Sequence, residues 1–157
     1  MAATADTPMR DVMGVSGPDG TTVETTSDPS AGEVRLPARP ESAATVRRLT
    51  RDLLRDHWLL PRQLTEDAVQ LAAELAANAV QHAGAHSFGL LVRRRRGWIR
   101  VEIRDPSRAL PCLLPPGREL DLNGRGLFLV DALADRWGVD LLPRGKSTWF
   151  ELRLTGR

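Results

Sequence analysis

A stretch of twenty residues, TEDAVQLAAELAANAVQHAG, constrains the fold of this chain more than any other segment. It is dominated by Ala, Leu and Val, begins at Thr65 and stops at Gly84, a residue type that commonly ends helices. Thr65 predicts the N-cap, and the acids Glu66 and Asp67 suit the first turn. Because its alanine side chains are short, the predicted helix can pack flat against a sheet.

Two polar residues interrupt the apolar pattern of this helix. Glu74 and Asn78 are four residues apart and therefore project from one face, which Gln81 and His82 extend by another turn. A carboxylate can accept a proton from a hydroxyl or water, and an amide oxygen can join a magnesium shell filled by phosphates and waters. The alternative interpretation is that the pair faces water. His82 lacks a second His, Cys or carboxylate at metal spacing, which favours a surface or capping role.

The remaining apolar patterns predict an α+β fold. They indicate a strand near residues 33–36, a helix that starts near Pro40 and Glu41, strands near 86–93, 98–104, 139–142 and 148–154, and a helix near 126–136. This order predicts a two-layer α/β sandwich whose mixed, mostly antiparallel sheet has its helices on one face. A length of 157 residues with 41% apolar residues suits one such core.

The first 32 residues differ in composition from the rest of the chain. They are rich in Thr, Ser, Asp, Gly and Pro, which predicts a disordered tail at 1–32 before a domain at 33–157. No apolar run approaches the roughly 20 residues that span a bilayer, and the N-terminus lacks the pattern of a signal peptide. Cys112 is the single cysteine and cannot form an intramolecular disulfide. We therefore expect a cytoplasmic protein with no membrane partner.

The densest basic run is Arg93–Arg96, which lies before Gly97 and Trp98 and is typical of the exposed end of a hairpin. Solvated surface is one interpretation, and a patch for phosphate or an acidic partner is the other. Aromatic residues that would stack on bases are sparse, with three Phe and no Tyr. Direct binding to nucleic acid is therefore disfavoured.

Two further segments carry polar or glycine-rich chemistry. The strand WIRVEIRD ends at Asp105 because Pro106 terminates pairing, and a strand-end carboxylate can accept a hydrogen bond from an exocyclic amine such as that of adenine or can initiate a turn. In LNGRGLFLVDAL, Gly124 and Gly126 precede an apolar helical run, an arrangement that lets backbone amides approach a phosphate or that forms a plain loop-to-helix junction. Thr148 lies in the final strand.

Taken in order, these segments resemble the GHKL ATPase superfamily. Residues 74–83 resemble its N box, 105–107 its G1 box, 124–127 its G2 box and 145–150 its closing strand, and the likeness runs from about Leu36 to Leu154. Within the superfamily the chain is most similar to the anti-sigma regulatory factor branch of bacterial serine protein kinases and to short ATP-binding regulators of actinobacteria. Pro106 and Ser107 depart from the Asp-x-Gly-x-Gly form that many members have at the G1 box.

The resemblance implies a Bergerat-type ATP-binding fold and a set of roles for individual residues. ATP and Mg2+ are the implied cofactors, and residues 108–123 would form the ATP lid. The implied roles are Glu74 as general base, Asn78 as magnesium ligand, Asp105 as acceptor for the adenine amino group, Gly124, Arg125, Gly126 and Leu127 as the phosphate turn, and Thr148 as a water-bridged adenine contact.

The resemblance also implies a regulatory function and partners. The first hypothesis is a protein serine/threonine kinase that phosphorylates an anti-sigma-factor antagonist and so regulates transcription. The alternative is a non-catalytic, ATP-dependent binding module that sequesters a sigma factor or another regulator. The expected partners are therefore the antagonist, the sigma factor or both, and a homodimer is a further hypothesis.

Overall fold

A computed structural model describes residues 13–16, 22–25, 28–82, 86–107 and 122–155, with the backbone alone at 13–16, 22–25, 82 and 122–127. The chain is α+β, as predicted, and its main sheet has five antiparallel strands in the order β3-β4-β5-β7-β6. The strands are β1 (Met13–Ser16), β2 (Thr22–Thr25), β3 (Val34–Pro37), β4 (Ser87–Arg95), β5 (Trp98–Asp105), β6 (Arg136–Leu142) and β7 (Gly145–Arg153). The helices are α1 (Glu41–Arg51), which continues into a π-helical segment (Asp52–His57), α2 (Arg62–His82) and α3 (Leu122–Leu133).

Helix α2 lies across the middle of the sheet, over β5 and β7, with α1 and α3 beside it. Its small residues make this approach possible, since Ala68, Ala72 and Ala76 are completely buried in the core. The sheet supplies larger side chains to the same core, among them Phe88 and Phe150. Burial of a side chain of that size is worth about 2–3 kcal/mol.

The start of α2 differs from the sequence prediction. The helix begins at Arg62, directly after Pro61, so Thr65 lies one turn inside it rather than at the N-cap. The Thr65 hydroxyl donates a hydrogen bond to the Pro61 carbonyl oxygen at 3.0 Å and the side chain is buried. Pro61 suits the helix start because its ring fixes φ near the helical value. The predicted stop at Gly84 lies outside the described residues.

The connection between α1 and α2 contains an unusual backbone. The Trp58 amide donates to the Leu53 carbonyl at 2.9 Å, which is the i to i−5 bond of a π-helix. Leu59 follows with φ +53°, a left-handed conformation that is costly for a residue with a Cβ. Its side chain is 79% exposed, so burial does not compensate that cost.

The sheet has one apolar and one charged face. The strand registers place alternate residues of β5 and β7, such as Val101 and Phe150, toward the helices. On the other face, Arg100 stacks over the Trp149 ring at 4.0 Å and forms ion pairs with Glu102 (2.8 Å), Glu151 and Asp140 (both 3.2 Å). Cross-strand charge pairs therefore replace a second helical layer on that face.

The pKa of Glu102 reflects this charged face. Burial raises the pKa of this carboxyl. The hydrogen bonds and charges of Arg100 and Arg104 lower it by a larger amount, so that the pKa lies below its ordinary value of 4.5. For Arg100, burial lowers the pKa, but the hydrogen bonds from its guanidinium to Glu102 and Glu151 and the charges of these two residues have the larger effect and raise the pKa above its ordinary value. Both groups are therefore held in their charged forms.

The predicted bounds of three elements near the C-terminus are wrong. Helix α3 spans Leu122–Leu133 instead of about 126–136, β6 begins at Arg136 instead of Val139, and β7 begins at Gly145 instead of Thr148. The strand starts early because Trp137 pairs with Phe150 of β7 and packs against the core. The predicted hairpin at Arg93–Arg96 is confirmed: these four residues are exposed, with three at the end of β4 and Arg96 in the turn to β5.

The predicted tail includes the separate antiparallel pair of β1 and β2. Close to its end, the Pro29 carbonyl accepts a hydrogen bond from the Val92 amide at 2.9 Å, which joins the segment to β4. The domain boundary at residue 32 stays a prediction. Within the part of the chain that the structure describes, no helix is long and apolar enough to cross a bilayer.

Candidate functional site

The polar stripe of α2 is the first component of the candidate site. Glu74 and Asn78 lie on consecutive turns, and both are half-buried, whereas Leu75, Ala76 and Ala79 between and beside them are buried in the core. Neither polar side chain forms a hydrogen bond or ion pair with another described residue. Because both side chains are partly exposed and are not occupied by a neighbour that the structure describes, they can bond to water or to an external ligand.

Asp105 is the second component, at the end of β5. Its carboxylate is almost completely buried, and its Oδ1 atom accepts two hydrogen bonds, from the Ser107 amide at 2.9 Å and from Lys146 Nζ at 3.2 Å. The Ser107 bond is the local turn that the sequence offered as an alternative role. No described residue donates to the other oxygen, Oδ2.

Thr148 lies on the same face of the sheet as Asp105. Asp105 pairs with Lys146, and Thr148 pairs with Ile103, so Asp105 and Thr148 are diagonal neighbours on adjacent strands. Such neighbours are about 7–8 Å apart between Cα atoms. Ile103 is part of the core under the helices, and alternation therefore directs Asp105 and Thr148 toward the helical layer.

The glycine segment is placed differently from the prediction. Gly124, Arg125 and Gly126 lie within the first turns of α3 and do not form a turn that precedes the helix. Packing of α3 against α2 accounts for the longer helix, because tertiary contacts routinely override the low helix propensity of glycine. A helix that begins at Leu122 still leaves the amides of its first turn, up to that of Gly124, without intrahelical acceptors.

The structure thus gathers the predicted residues onto one side of the sheet. Glu74 and Asn78 lie on the helix that covers β5 and β7, Asp105 and Thr148 lie on those two strands, and the segment 124–127 belongs to the helix beside α2. Residues 108–121 of the predicted lid lie outside the described residues. The last two lid positions, 122 and 123, belong to α3. Within the described ranges, no group of three His, Cys, Asp or Glu side chains is arranged to hold a metal ion.

Sequence reasoning missed the contribution of two neighbouring residues to the surroundings of Asp105. Gly145 has φ +103°, and a Cβ added there would collide with the Asp105 carbonyl oxygen and lie 2.6 Å from the Pro106 Cα. The absence of a side chain at Gly145 therefore allows β7 to begin directly against the end of β5. The next residue, Lys146, is buried beside Asp105. A glycine followed by a lysine at a strand start is the signal that was present in the sequence.

Comparison with protein families gives a match over most of the chain. A model described as the histidine kinase-like ATPase domain matches residues 36–152. An uncharacterized protein from Streptomyces coelicolor is 51% identical over 45 residues, which are 28% of this chain and 43% of that protein. The aligned part of this chain therefore spans less than half the length of that relative.

Comparison with solved structures gives a similarity to a histidine kinase domain, from the blue-light activated histidine kinase of Erythrobacter litoralis. The TM-score is 0.47 at 20% sequence identity. The similar region covers 76% of this chain and 62% of that chain, somewhat less than two thirds of its length.

Proposed function

Because this chain belongs to the family of histidine kinase-like ATPase domains, we propose that it is an ATP-binding regulator that acts as a protein serine/threonine kinase on an anti-sigma-factor antagonist. The observation that carries the proposal is the pair Glu74 and Asn78. These polar side chains are half-buried on the helix that covers the sheet, and no described residue satisfies them. A bound nucleotide with its metal ion would contact these two side chains in place of water.

The strand residues fit the base of an adenine nucleotide. Asp105 Oδ2 has no described donor and would accept a hydrogen bond from the exocyclic amine of adenine. Thr148, on the neighbouring strand and the same face, would contact the base through a water molecule. The free amides at the start of α3 would face the phosphates, since a helix N-terminus carries a partial positive charge and unsatisfied N–H donors.

Magnesium fits the donors on α2. Mg2+ prefers oxygen ligands and keeps several waters, so it is commonly held by one or two protein oxygens together with the phosphates. The Asn78 amide oxygen would be that protein ligand. The ion, when bound, would offset charge on the phosphates.

The proposed transfer step uses Glu74 as the base. The seryl or threonyl oxygen of the antagonist attacks the γ-phosphorus, the bond from that phosphorus to the bridging oxygen breaks, and ADP leaves. The hydroxyl proton passes to the Glu74 carboxylate. The helix N-terminus compensates charge on the phosphate oxygens in the same step.

Calorimetric titration with Mg-ATP and with ADP, followed by assays of phosphate transfer to candidate antagonists, tests the proposal. Glu74→Gln is expected to retain ATP binding, and its rate of phosphate transfer is expected to fall by about 100-fold or more. In Asn78→Ala, the affinity for ATP is expected to lose its dependence on magnesium. Glu66→Gln is the matched control, because Glu66 is a glutamate that is exposed on the same helix.

Each result of these assays has a separate meaning. Absence of nucleotide binding by the parent protein would refute the proposal. Transfer at the parent rate by Glu74→Gln would show that Glu74 is not the base. Tight ATP binding with no transfer by the parent would favour the non-catalytic module, in which case binding of a sigma factor should respond to ATP and to Asn78→Ala.

A further inference from the structure

Lys146 is buried beside Asp105 at the start of β7 and has no role in the proposed function so far. Its side chain is 6% exposed and that of Asp105 is 4% exposed, so the two charges form an ion pair that is almost entirely removed from water. Lys146 Nζ donates to Asp105 Oδ1 at 3.2 Å and to the Ser107 carbonyl oxygen at 3.4 Å. A buried ammonium is costly unless it is paired, and these two acceptors supply the pairing.

The contacts of Asp105 are divided unevenly between its two oxygens. Both described donors, the Lys146 ammonium and the Ser107 amide, bind Oδ1. This arrangement fixes the orientation of the carboxylate and leaves Oδ2 as a hydrogen-bond acceptor without a described donor. The close approach at Gly145 holds the backbone of β7 against that of Asp105, which keeps Lys146 beside the carboxylate.

We propose that Lys146 is the positioning residue that makes this site select a purine with an amino group at C6 over one with a carbonyl group at C6. The inference rests on the proposed function, because it assumes that Asp105 meets the base. The Lys146 ammonium and the Ser107 amide both hold Oδ1, so that Oδ2 is presented to the base, and a carboxylate oxygen accepts hydrogen bonds. The amino group of adenine donates to such an oxygen, whereas the carbonyl of hypoxanthine is repelled by it.

Removal of the ammonium should weaken this preference. Without Lys146 Nζ, the Ser107 amide is the one described donor left at Oδ1, and the carboxylate can turn away from the orientation in which Oδ2 meets the amino group of adenine. Inosine triphosphate carries a carbonyl in place of that amino group at C6, so its binding does not depend on Oδ2 as an acceptor. Loss of Lys146 should therefore change the choice of base, beyond any effect on affinity or stability in general.

The test is the ratio of dissociation constants for ATP and inosine triphosphate, measured by calorimetry in the presence of Mg2+. Lys146→Met removes the charge and keeps much of the length, and we expect the preference for ATP to fall at least tenfold, as for a hydrogen bond to a charged group. Lys146→Arg keeps a cation and should stay within about threefold of the parent ratio. Arg144→Met is the matched control, because it removes a positive charge from an exposed residue in the preceding turn.

The outcomes separate this inference from the proposed function. If the parent binds neither nucleotide, the proposed function fails. If the parent prefers ATP and Lys146→Met keeps that preference, or binds ATP more tightly, the role of Lys146 is wrong while the function stands. Should Lys146→Met not fold, the ammonium 15N signal of Lys146 in the parent protein decides. When Mg-ATP is bound, the ammonium protons should still exchange slowly with water and the signal should remain visible. Loss of the signal would show that Lys146 leaves Asp105 and would overturn the inference.

Discussion

Replacement of Gly145 by alanine should weaken the fold and the candidate site together. The residue has φ +103°, and an added Cβ would collide with the backbone of Asp105 and Pro106. Backbone atoms paired in a sheet cannot rotate away as a side chain can. The two strands that carry Asp105 and Lys146 would have to separate at this end, which would lengthen the contact between those side chains.

Gly97 provides a control for the conformational part of this cost. It also has positive φ, +75°, but no atom lies within 4 Å of a Cβ added there. The left-handed conformation costs about 1–2 kcal/mol, less about 0.4–1 kcal/mol because alanine restricts the unfolded chain. Gly97→Ala should therefore lower the free energy of unfolding by about 0.5–1 kcal/mol. A forced contact adds about 1–3 kcal/mol, so Gly145→Ala should lower it by about 2–4 kcal/mol.

Urea denaturation of the parent and both variants measures these differences, provided that the slopes of the unfolding transitions agree. Calorimetry then tests whether Gly145→Ala also weakens nucleotide binding while Gly97→Ala leaves it unchanged. Free energies of unfolding that differ by less than about 0.5 kcal/mol between the two variants would refute the argument that backbone contact at Gly145 positions Asp105.

Two further predictions concern the charged face and the α1–α2 connection. Glu102→Gln should lower the free energy of unfolding by about 2 kcal/mol, because Arg100 and Arg104 lose a buried counter-charge. The folded-state pKa of Glu102 lies below its ordinary value of 4.5. Its contribution to the free energy of unfolding is therefore present above pH 4.5 and is lost as the pH falls through the folded-state pKa. In denaturation at several pH values, the free energy of unfolding should decrease less on acidification in Glu102→Gln than in the parent. Leu59→Gly should change stability by less than about 0.5 kcal/mol, since relief of the left-handed strain offsets the freer unfolded chain, whereas Leu54→Ala should cost about 2–5 kcal/mol in the same assay.

The sequence was most informative where local chemistry decides the structure. The alanine-rich pattern identified α2 and the stripe of Glu74 and Asn78, because helical periodicity is a property of neighbouring residues. Pro106 marked the end of β5 for the same reason. The α+β class followed from the order of such elements and is confirmed.

The errors and omissions come from interactions between distant parts of the chain. Helix α3 extends back to Leu122 because it packs on α2, and glycine propensity alone favoured a later start. Lys146 and Asp105 are 41 residues apart in sequence, and their contact depends on the register of β7 against β5. The charged network around Arg100 depends on three strands at once, and no single-strand pattern contains it.

The order of strands in the sheet divides the domain into two successive runs of chain. Strands β3, β4 and β5 form one run, β7 and β6 form the other, and the two runs join where β5 pairs with β7. Asp105 belongs to the first run, and Lys146 and Thr148 belong to the second. A nucleotide held as proposed would bridge this junction, so its binding energy would also oppose separation of the two halves of the sheet. The affinity for the nucleotide and the stability of the β5–β7 junction would then be thermodynamically linked.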